Sequence, residues 1–284
     1  MAGEPVRRPA VAGSWYPGEA RALASEVDRS LKAVGAVPQG EVVALAVPHA
    51  GLVYSGPVAA YAYQLVANRR FDVVVLVGPS HHVGFSGVAI DPRGSWETPL
   101  GPAAIDGEVA GLIMAHGALV RENSSIHAHE HSLEMQLPFL RRVLPDTPIV
   151  PLVMGYQTRA TVEGLARALA AGLEGRRALI VASSDLSHYH PASSAAELDH
   201  RVAALVERFD ADALMTLIER FPEHACGGGP LVAAMKAARE LGAREGKVLR
   251  YADSGDVSGD KSAVVGYLAA AFGSFGSGPA SPAS

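Results

Sequence analysis

Short, continuous apolar runs alternate along the chain with longer segments whose apolar residues have helical spacing. Continuous runs of aliphatic and β-branched residues are typical of strands that are covered on both faces of a sheet. Such runs predict strands at residues 42–47, 72–77, 147–154 and 177–182. Weaker patterns add a strand at residues 248–252 and a last packed segment at 263–272.

Helical spacing predicts the elements between these strands. The predicted helices cover residues 57–67, 102–116, 132–144, 159–173, 194–209 and 211–220, with one more beginning near Pro230. Pro57 is expected at the first position of its helix, where a missing N–H has no cost. Because strands and helices alternate, we predict an α/β fold: a mainly parallel central sheet with helices on both faces.

One domain is expected over residues 1–272, because no linker-like stretch interrupts this part of the chain. Residues 273–284 are rich in Gly, Ser, Pro and Ala, which predicts a flexible C-terminal tail.

Composition narrows the class of protein. The 284 residues are 49% hydrophobic and carry a net charge of −5, which predicts a folded chain and disfavours a nucleic-acid-binding protein. The single cysteine rules out an intrachain disulfide. Neither an apolar signal segment nor a membrane span of about 18 apolar residues is evident. These features favour a cytoplasmic protein without a membrane partner.

Residues of types that can bind a metal ion or exchange a proton follow three of the predicted strands. They are His49 after the first strand, His81 and His82 after the second, and Asp185 and His188 after the fourth. Ligands of open parallel sheets bind beyond the carboxyl ends of the strands, where side chains distant in sequence converge. We therefore predict that at least two of these residues share a metal ion.

Each of these residues also has a simpler interpretation. His49 could only cap a turn, and His82 is expected to hydrogen-bond the backbone while His81 faces the site. Asp185 could be the N-cap of a helical turn. His188 lies three residues later, and this spacing suits either a carboxylate–imidazole pair or a general acid/base.

Cys226 lies in the segment HACGGGP, just before a predicted helix. Free cysteines are most often small buried hydrophobes. Here the glycines permit close backbone approach, and a helix N-terminus would lower the pKa of the thiol. A thiolate beside imidazoles suits copper, zinc or iron.

The segment HAHEHSLEMQ contains further candidates but lacks the HExxH spacing of zinc proteases. His131 and Glu134 could both reach the site from the start of the next helix, although Glu134 could equally be part of a polar helix start. We expect His127 and His129 on the surface. His116, His190, His200 and His224 are expected to be structural or exposed.

Seven segments resemble the Memo family, whose prokaryotic members are labelled AmmeMemoRadiSam system protein B. The resemblance runs from about Arg8 to Phe272. The segments are AGSWYPG (12–18), VPHAGLVYSG (47–56), GPSHH (78–82), EHSLEMQLPFL (130–140), SSDLSH (183–188), CGGGP (226–230) and SGDKSAVVGY (258–267).

The resemblance implies a fold similar to that of class III extradiol dioxygenases, with a metal-binding pocket. It implies His49, His81 and Cys226 as metal ligands, with His188 and Asp185 beside them. It also implies Trp15 as a wall of the pocket. Iron and copper are associated with the animal members, and the prokaryotic members are grouped with a radical-SAM protein. Class III dioxygenases use a carboxylate where Cys226 would bind, so the resemblance does not imply catechol cleavage.

The leading hypothesis is a mononuclear iron(II) or copper protein with redox chemistry, acting as an oxygen-dependent enzyme on an unknown small molecule or peptide. His188 would be its acid/base, oriented by Asp185, and His131, His82 and Glu134 would line the pocket. One alternative is a binding module that uses the pocket to recognise a peptide or partner protein without turnover. Another is a zinc-dependent hydrolase with His188 as base.

Overall fold

The computed structural model describes residues 5–276 of the chain. Its strands are β1 (Val6–Arg7), β2 (Gly40–Val47), β3 (Val73–Pro79), β4 (Val88–Ile90), β5 (Ser95–Trp96), β6 (Ala103–Ala104), β7 (Val120–Glu122), β8 (Ile149–Met154), β9 (Ala178–Ser183), β10 (His188–His190), β11 (Glu245–Asp253) and β12 (Val264–Phe275).

The α-helices of the same residues are α1 (Ala20–Lys32), α2 (Leu52–Val66), α3 (Gly107–His116), α4 (Ser124–His127), α5 (Leu137–Val143), α6 (Arg159–Gly172), α7 (Ala192–Glu207), α8 (Ala211–Arg220), α9 (Gly228–Glu240) and α10 (Gly255–Ser258). Two 3₁₀ turns cover Glu134–Gln136 and Pro222–His224. None of the helices between residues 5 and 276 combines the length and the apolarity needed to cross a bilayer.

The large sheet has the strand order β10-β12-β2-β9-β3-β8-β4-β7, and β11 also pairs with β12. The four central strands β2, β9, β3 and β8 run parallel. The pairs that flank them, β12 with β2 and β4 with β8, are antiparallel. The prediction of an α/β fold built on a parallel central sheet is confirmed.

Helices cover both faces of this sheet, as predicted. Alternate residues of each central strand enter different cores: in β2, Ala44 and Ala46 pack on one face and Leu45 and Val47 on the other. Apolar residues of α3, α6, α7, α8 and α9 complete the first core, and those of α1, α2 and α5 complete the second. Burial on both faces explains why the strands read as continuous apolar runs.

The register of the central strands aligns their carboxyl ends. Val47 of β2 lies opposite Ser183 of β9, and Val77 of β3 lies opposite Ala182 of β9. The chain therefore leaves these three neighbouring strands at one edge of the sheet, within a few ångströms of the same level.

Three predicted boundaries need correction. Pro57 lies inside α2, because the helix already begins at Leu52, so Pro57 does not occupy the first position. The helix predicted from residue 102 begins only at Gly107, since Ala103–Ala104 forms a short strand with β5. The helix predicted from residue 132 is a 3₁₀ turn followed by α5.

The C-terminal boundary also differs from the expectation. Strand β12 continues to Phe275, so residues 273–275 belong to the sheet and not to the predicted tail. Their backbones pair with the start of β2. The remainder of the predicted tail, residues 277–284, lies outside the described residues.

Candidate metal centre

Three side chains that are distant in sequence meet beyond the carboxyl edge of the central strands. His49 follows β2, His81 follows β3, and Cys226 lies two residues before α9. One ligand atom from each lies within 4.8 Å of the other two. The ring centroids of His49 and His81 are 5.1 Å apart. The structure thus brings together the three residues predicted as ligands.

His49 is almost fully buried, at 2% exposure, and its ring is held by a serine. Its Nδ1 lies 2.8 Å from Ser183 Oγ, while Ser183 Oγ also lies 2.7 Å from the carbonyl oxygen of Ser132. A carbonyl can only accept, so the single hydroxyl proton of Ser183 is directed to Ser132. The Nδ1 of His49 must then carry a proton and donate it to Ser183. Its Nε2 keeps a free lone pair, directed at Cys226.

A buried chain of neutral side chains fixes this orientation of Ser183. Gln136 Nε2 donates to Ser183 Oγ (2.7 Å) and to the carbonyl oxygen of Pro48 (3.1 Å). The Tyr63 hydroxyl donates to Gln136 Oε1 (2.8 Å). Because the Pro48 carbonyl accepts only, the amide of Gln136 cannot be turned around. The chain Tyr63–Gln136–Ser183 therefore determines which nitrogen of His49 is available.

His81 is held by a carboxylate instead. Its Nδ1 donates to Glu130 Oε1 (2.9 Å) and its backbone N–H to Glu130 Oε2 (2.6 Å). The N–H groups of His131 and Ser132 also donate to Glu130 Oε1 (2.9 and 2.8 Å). Burial would raise the pKa of the Glu130 carboxyl, but these hydrogen bonds and the charge of His81 bring it well below its usual range. In the neutral form of His81, Nε2 is thus the ring nitrogen with a free lone pair.

His81, Glu130 and His131 form a second group of close ligand atoms. The Glu130 carboxylate already accepts four N–H donors in this group, three of them on Oε1. A cation there would have to displace these bonds. The group therefore serves to support His81, as the outer partners of metal-binding histidines do.

Cys226 completes the first group at short range. Its Sγ lies 3.3 Å from His49 Nε2 and accepts the backbone N–H of Asp185 at 3.3 Å. The residue after Cys226 must be a glycine, because the backbone at this position lies close to the backbone of Ser183. A Cβ on Gly227 would lie 2.3 Å from the Ser183 carbonyl oxygen. Burial, and then the charge of Asp185, raise the pKa of the thiol far above its usual range. The expected lowering by the helix N-terminus is wrong for the metal-free chain.

Asp185 does not form the predicted pair with His188. Its buried Oδ1 accepts the backbone N–H of His49 (2.7 Å), so it fixes the His49 backbone and not the His188 ring. Burial raises the pKa of Asp185 to about 7, although the N–H groups of His49 and Ala50 oppose this. His188 begins strand β10 and not a helical turn, which removes the predicted spacing on one helix face. Burial lowers the pKa of its ring.

Trp15 and His131 stand at the mouth of the site. Their ring centroids are 4.3 Å apart, and the His131 ring lies 4.4 Å from that of His81. Burial, and then the charge of His81, lower the pKa of His131 to about 4. His82 is exposed, 6.0 Å from the His131 ring, and makes no side-chain hydrogen bond among the described residues, contrary to the expected bond to the backbone. The predicted inward position of His81 agrees with the structure.

Glu134 holds the N-terminal segment in place and does not line the pocket as predicted. Its buried carboxylate binds Arg7 (2.8 Å), the Tyr16 hydroxyl (2.7 Å) and the N–H groups of Ala10 and Val11. These contacts tie down the N-terminal segment that carries Trp15. Glu134 thus shapes the wall of the site from behind and does not line it.

Several important residues escaped the sequence reasoning. His127 was expected on the surface but is fully buried beside Trp96, with Arg7 bound to its carbonyl oxygen. The sequence does not reveal the supporting roles of Glu130, Ser183, Gln136 and Tyr63. The available signal for Glu130, Gln136 and Ser183 is their position in EHSLEMQ and SSDLSH, beside the predicted site residues His131, Glu134 and Asp185. Nothing local points to Tyr63.

The model of the Memo-like protein family matches residues 7–271 of the chain. Curated relatives are described as MEMO1 family proteins. The relative from Pyrobaculum arsenaticum is 38% identical, with 94% of this chain and 99% of the relative covered. That from Methanothermobacter thermautotrophicus is 37% identical (92% and 98% covered), and that from Methanosarcina mazei is 39% identical (93% and 98% covered).

Among solved structures, the fold is similar to the crystal structure of an uncharacterized protein from Escherichia coli K12. The TM-score is 0.57, and the alignment covers 80% of this chain and 99% of that one. Sequence identity is only 17%, so this likeness concerns the fold alone.

Proposed function

The chain belongs to the family of Memo-like proteins, and from this membership we propose that His49, His81 and Cys226 hold one iron(II) or copper ion for redox chemistry. One observation supports this most: two imidazoles offer Nε2 lone pairs beside a thiol, within 4.8 Å. Both outer nitrogens donate to fixed acceptors, Ser183 Oγ and Glu130 Oε1, as is usual for metal-binding histidines.

The donor set fits a soft or borderline metal. Thiolate favours copper, zinc and iron, and imidazole binds the same metals, whereas magnesium and calcium prefer oxygen ligands. The buried His49 and the half-buried Cys226 limit access of water from one side, while the exposed His81 side leaves room for a further ligand. A bound iron or copper ion would supply one-electron redox chemistry and open coordination positions for a small molecule.

Other residues of the chain would serve the bound substrate. His188 has a pKa lowered by burial, so its ring is neutral near pH 7 and can accept a proton. His131 is also neutral there, and together with Trp15 it forms an aromatic wall at the entrance. Asp185 is assigned to holding the His49 backbone, in place of the role beside His188 that the sequence suggested.

The test compares metal content in the wild type and in His49→Ala, both purified without oxygen. We expect about one equivalent of iron or copper in the wild type, and its loss in the variant with an unchanged circular dichroism spectrum. Equal metal content in both proteins would end the proposal. X-ray absorption at the iron, copper and zinc edges then identifies the ion, and zinc with ester or amide cleavage would favour the hydrolase alternative.

A second candidate function is binding of a peptide or partner protein without turnover. Large apolar side chains are exposed in segments that also carry candidate site residues or, for Tyr156, line a cavity with Cys226: Trp15, Tyr54, Val83, Tyr156 and Tyr189. Tyr189 is 77% exposed and has a left-handed backbone, at φ 62°. Exposed apolar patches are typical of interaction surfaces. Complementation of a gene-deletion strain separates the two functions, because His49→Ala would then restore growth or phenotype fully while Trp15→Ala would not.

A further inference from the structure

A cavity of about 580 Å³ opens at the amino edge of the sheet, at the other end of the strands from the candidate metal centre. Its walls come from the start of β2, the segment after α2 and the loop between α6 and β9. Small-molecule sites in proteins commonly measure about 300–1,000 Å³. The cavity is therefore large enough for a small organic ligand.

Two kinds of side chain line this cavity. Accessible apolar walls are provided by Phe71 and Leu241. Positive charge is provided by Arg69, Arg176 and Arg177, against one carboxylate, that of Glu41. No ion pair joins Glu41 to any of these arginines in the part of the chain that the structure describes.

Arg69 is held in place by the backbone. Its Nε donates to the carbonyl oxygen of Leu65 (2.8 Å) and its Nη1 to that of Gly40 (2.5 Å). No carboxylate pairs with it among residues 5–276. Burial, and then the charge of Arg177, lower the pKa of its guanidinium. The two positive charges thus act on each other, and Glu41 is the one carboxylate that lines the cavity with them.

Arg177 is anchored at its backbone rather than at its guanidinium. Its N–H donates to Asp72 Oδ2 (2.9 Å), and its carbonyl oxygen accepts the N–H of Asp72 (2.8 Å). Within the described residues its guanidinium makes neither an ion pair nor a hydrogen bond. The backbone of Arg177 is therefore fixed, while its guanidinium group remains available to a ligand.

A purely structural role explains only part of this arrangement. Basic side chains are favourable at the C-terminal ends of helices, and Arg69 binds a carbonyl oxygen at the end of α2. Arg176 forms an ion pair with Glu108. Arg177 is exposed, so water can solvate its guanidinium; what neither role explains is its position beside Arg69 at the same cavity.

We propose that this arginine cavity, lined by Arg69, Arg177, Phe71 and Leu241, binds a small organic oxyanion. The guanidinium groups would bind its phosphoryl or carboxylate group, since their planar N–H donors suit both anions. The apolar side chains would contact its hydrocarbon body. This site is independent of the metal centre, and its ligand does not need to be the substrate there.

Isothermal titration calorimetry at constant ionic strength tests the proposal, with phenyl phosphate, benzoate and inorganic phosphate as probes. We expect one saturable site for phenyl phosphate or benzoate, with weaker binding of inorganic phosphate because it has no apolar body. Preference between the two aromatic probes tells phosphoryl from carboxylate recognition. The His49→Ala protein should bind as the wild type does, which excludes the metal centre as the binding site.

The decisive variant is Arg177→Gln, which we expect to weaken binding at least tenfold. Its matched control is Arg70→Gln, an equal change of charge at an exposed neighbour outside the cavity, which should bind normally. Arg69→Gln, checked by circular dichroism, should also lose binding. The proposal is overturned if none of the probes saturates, if Arg177→Gln binds as the wild type does, or if Arg70→Gln loses as much affinity.

Discussion

The two histidines of the candidate metal centre are supported by regions of opposite character. Around His49, a buried chain of uncharged groups ends in the Ser183 hydroxyl. Around His81, one buried carboxylate collects four N–H donors. A carboxylate partner raises the basicity of a metal-binding imidazole more than a hydroxyl does. We therefore expect His81 to be the stronger ligand and His49 the more precisely oriented one.

The two regions should also respond differently when a supporting side chain is removed. Glu130 is a charge whose removal leaves four donors without an acceptor, so damage should spread through the loop from His131 to Ser132 as well as to His81. The Ser183 chain has no net charge, and each deletion leaves between one and three groups short of one partner. The support of His81 therefore depends on one charged residue, whereas the support of His49 is shared by the three uncharged residues of the chain.

The largest effect is expected for Glu130→Gln. The amide nitrogen would face backbone N–H donors, so we expect about a hundredfold weaker metal binding and a loss of about 3–5 kcal/mol of unfolding free energy. Competition with a chelator and chemical denaturation measure the two quantities. Glu134→Gln is the matched control, because its carboxylate is equally buried but supports Arg7 and not His81. It should lose stability and keep most of the metal affinity.

The two regions should also give opposite pH dependences of stability in the metal-free protein. The pKa of Glu130 is lowered on folding, so its contribution is present above pH about 4 and is lost as pH falls below this value. The pKa of Asp185 is raised to about 7, so the contribution of this carboxyl to stability decreases as pH rises from about 4 through 7.

Asp185→Asn should remove this pH-dependent contribution to the unfolding free energy between pH 4 and 7. A pKa shift of this size corresponds to roughly a few kcal/mol. Urea unfolding across this pH range measures it. A wild-type unfolding free energy that rises steadily from pH 4 to 7, unchanged in shape by the substitution, would contradict the assigned burial of Asp185.

A smaller effect is expected for Ser183→Ala. It leaves Nδ1–H of His49, the Gln136 amide and the Ser132 carbonyl each without one partner, and we expect roughly tenfold weaker metal binding with a stability loss of about 1–3 kcal/mol. Ser55→Ala removes another buried hydroxyl bonded to a carbonyl oxygen, that of Ala50 (2.7 Å), and supplies the control. Equal metal affinity in Ser183→Ala and the wild type would refute the role of the chain.

The smallest effect is expected for Tyr63→Phe, at the far end of the same chain. Gln136 Oε1 loses its donor, which should cost about 1 kcal/mol of stability and change metal affinity by no more than about threefold. Tyr251→Phe, which removes a hydroxyl bonded to Asp199 (2.9 Å), is the comparison. A cobalt(II) absorption spectrum of each protein reports the ligand geometry directly. If Tyr63→Phe weakens metal binding more than Ser183→Ala does, the expectation that the effect declines with distance from His49 is wrong.

The sequence predicted the strand ends well because both faces of the central strands are buried, which leaves an unmistakable apolar run. His49 and His81 could therefore be assigned to one edge without coordinates. The supporting groups could not be assigned, because their contacts join segments distant in sequence. Tyr63 and Gln136 are 73 residues apart, and Arg7 reaches His127 across 120 residues.

Other errors arose where one local pattern permits two structures. The segment with three alternating histidines reads as an exposed loop, yet His127 is covered by Trp96 and Arg7 from elsewhere in the chain. Similarly, Asp185 and His188 have helical spacing, but pairing with β12 makes residues 188–190 a strand. Long-range pairing overrode the local preference in both cases.

The 177 residues that separate His49 from Cys226 have a kinetic consequence. We expect this contact to form late in folding, because the entropy of closing the loop is lost before a contact between such distant residues can repay it. An ion would thus enter an already finished pocket, in contrast to zinc fingers, where the metal drives folding. The protein should fold before it is loaded, and the metal available to the cell at that moment would decide which ion it carries.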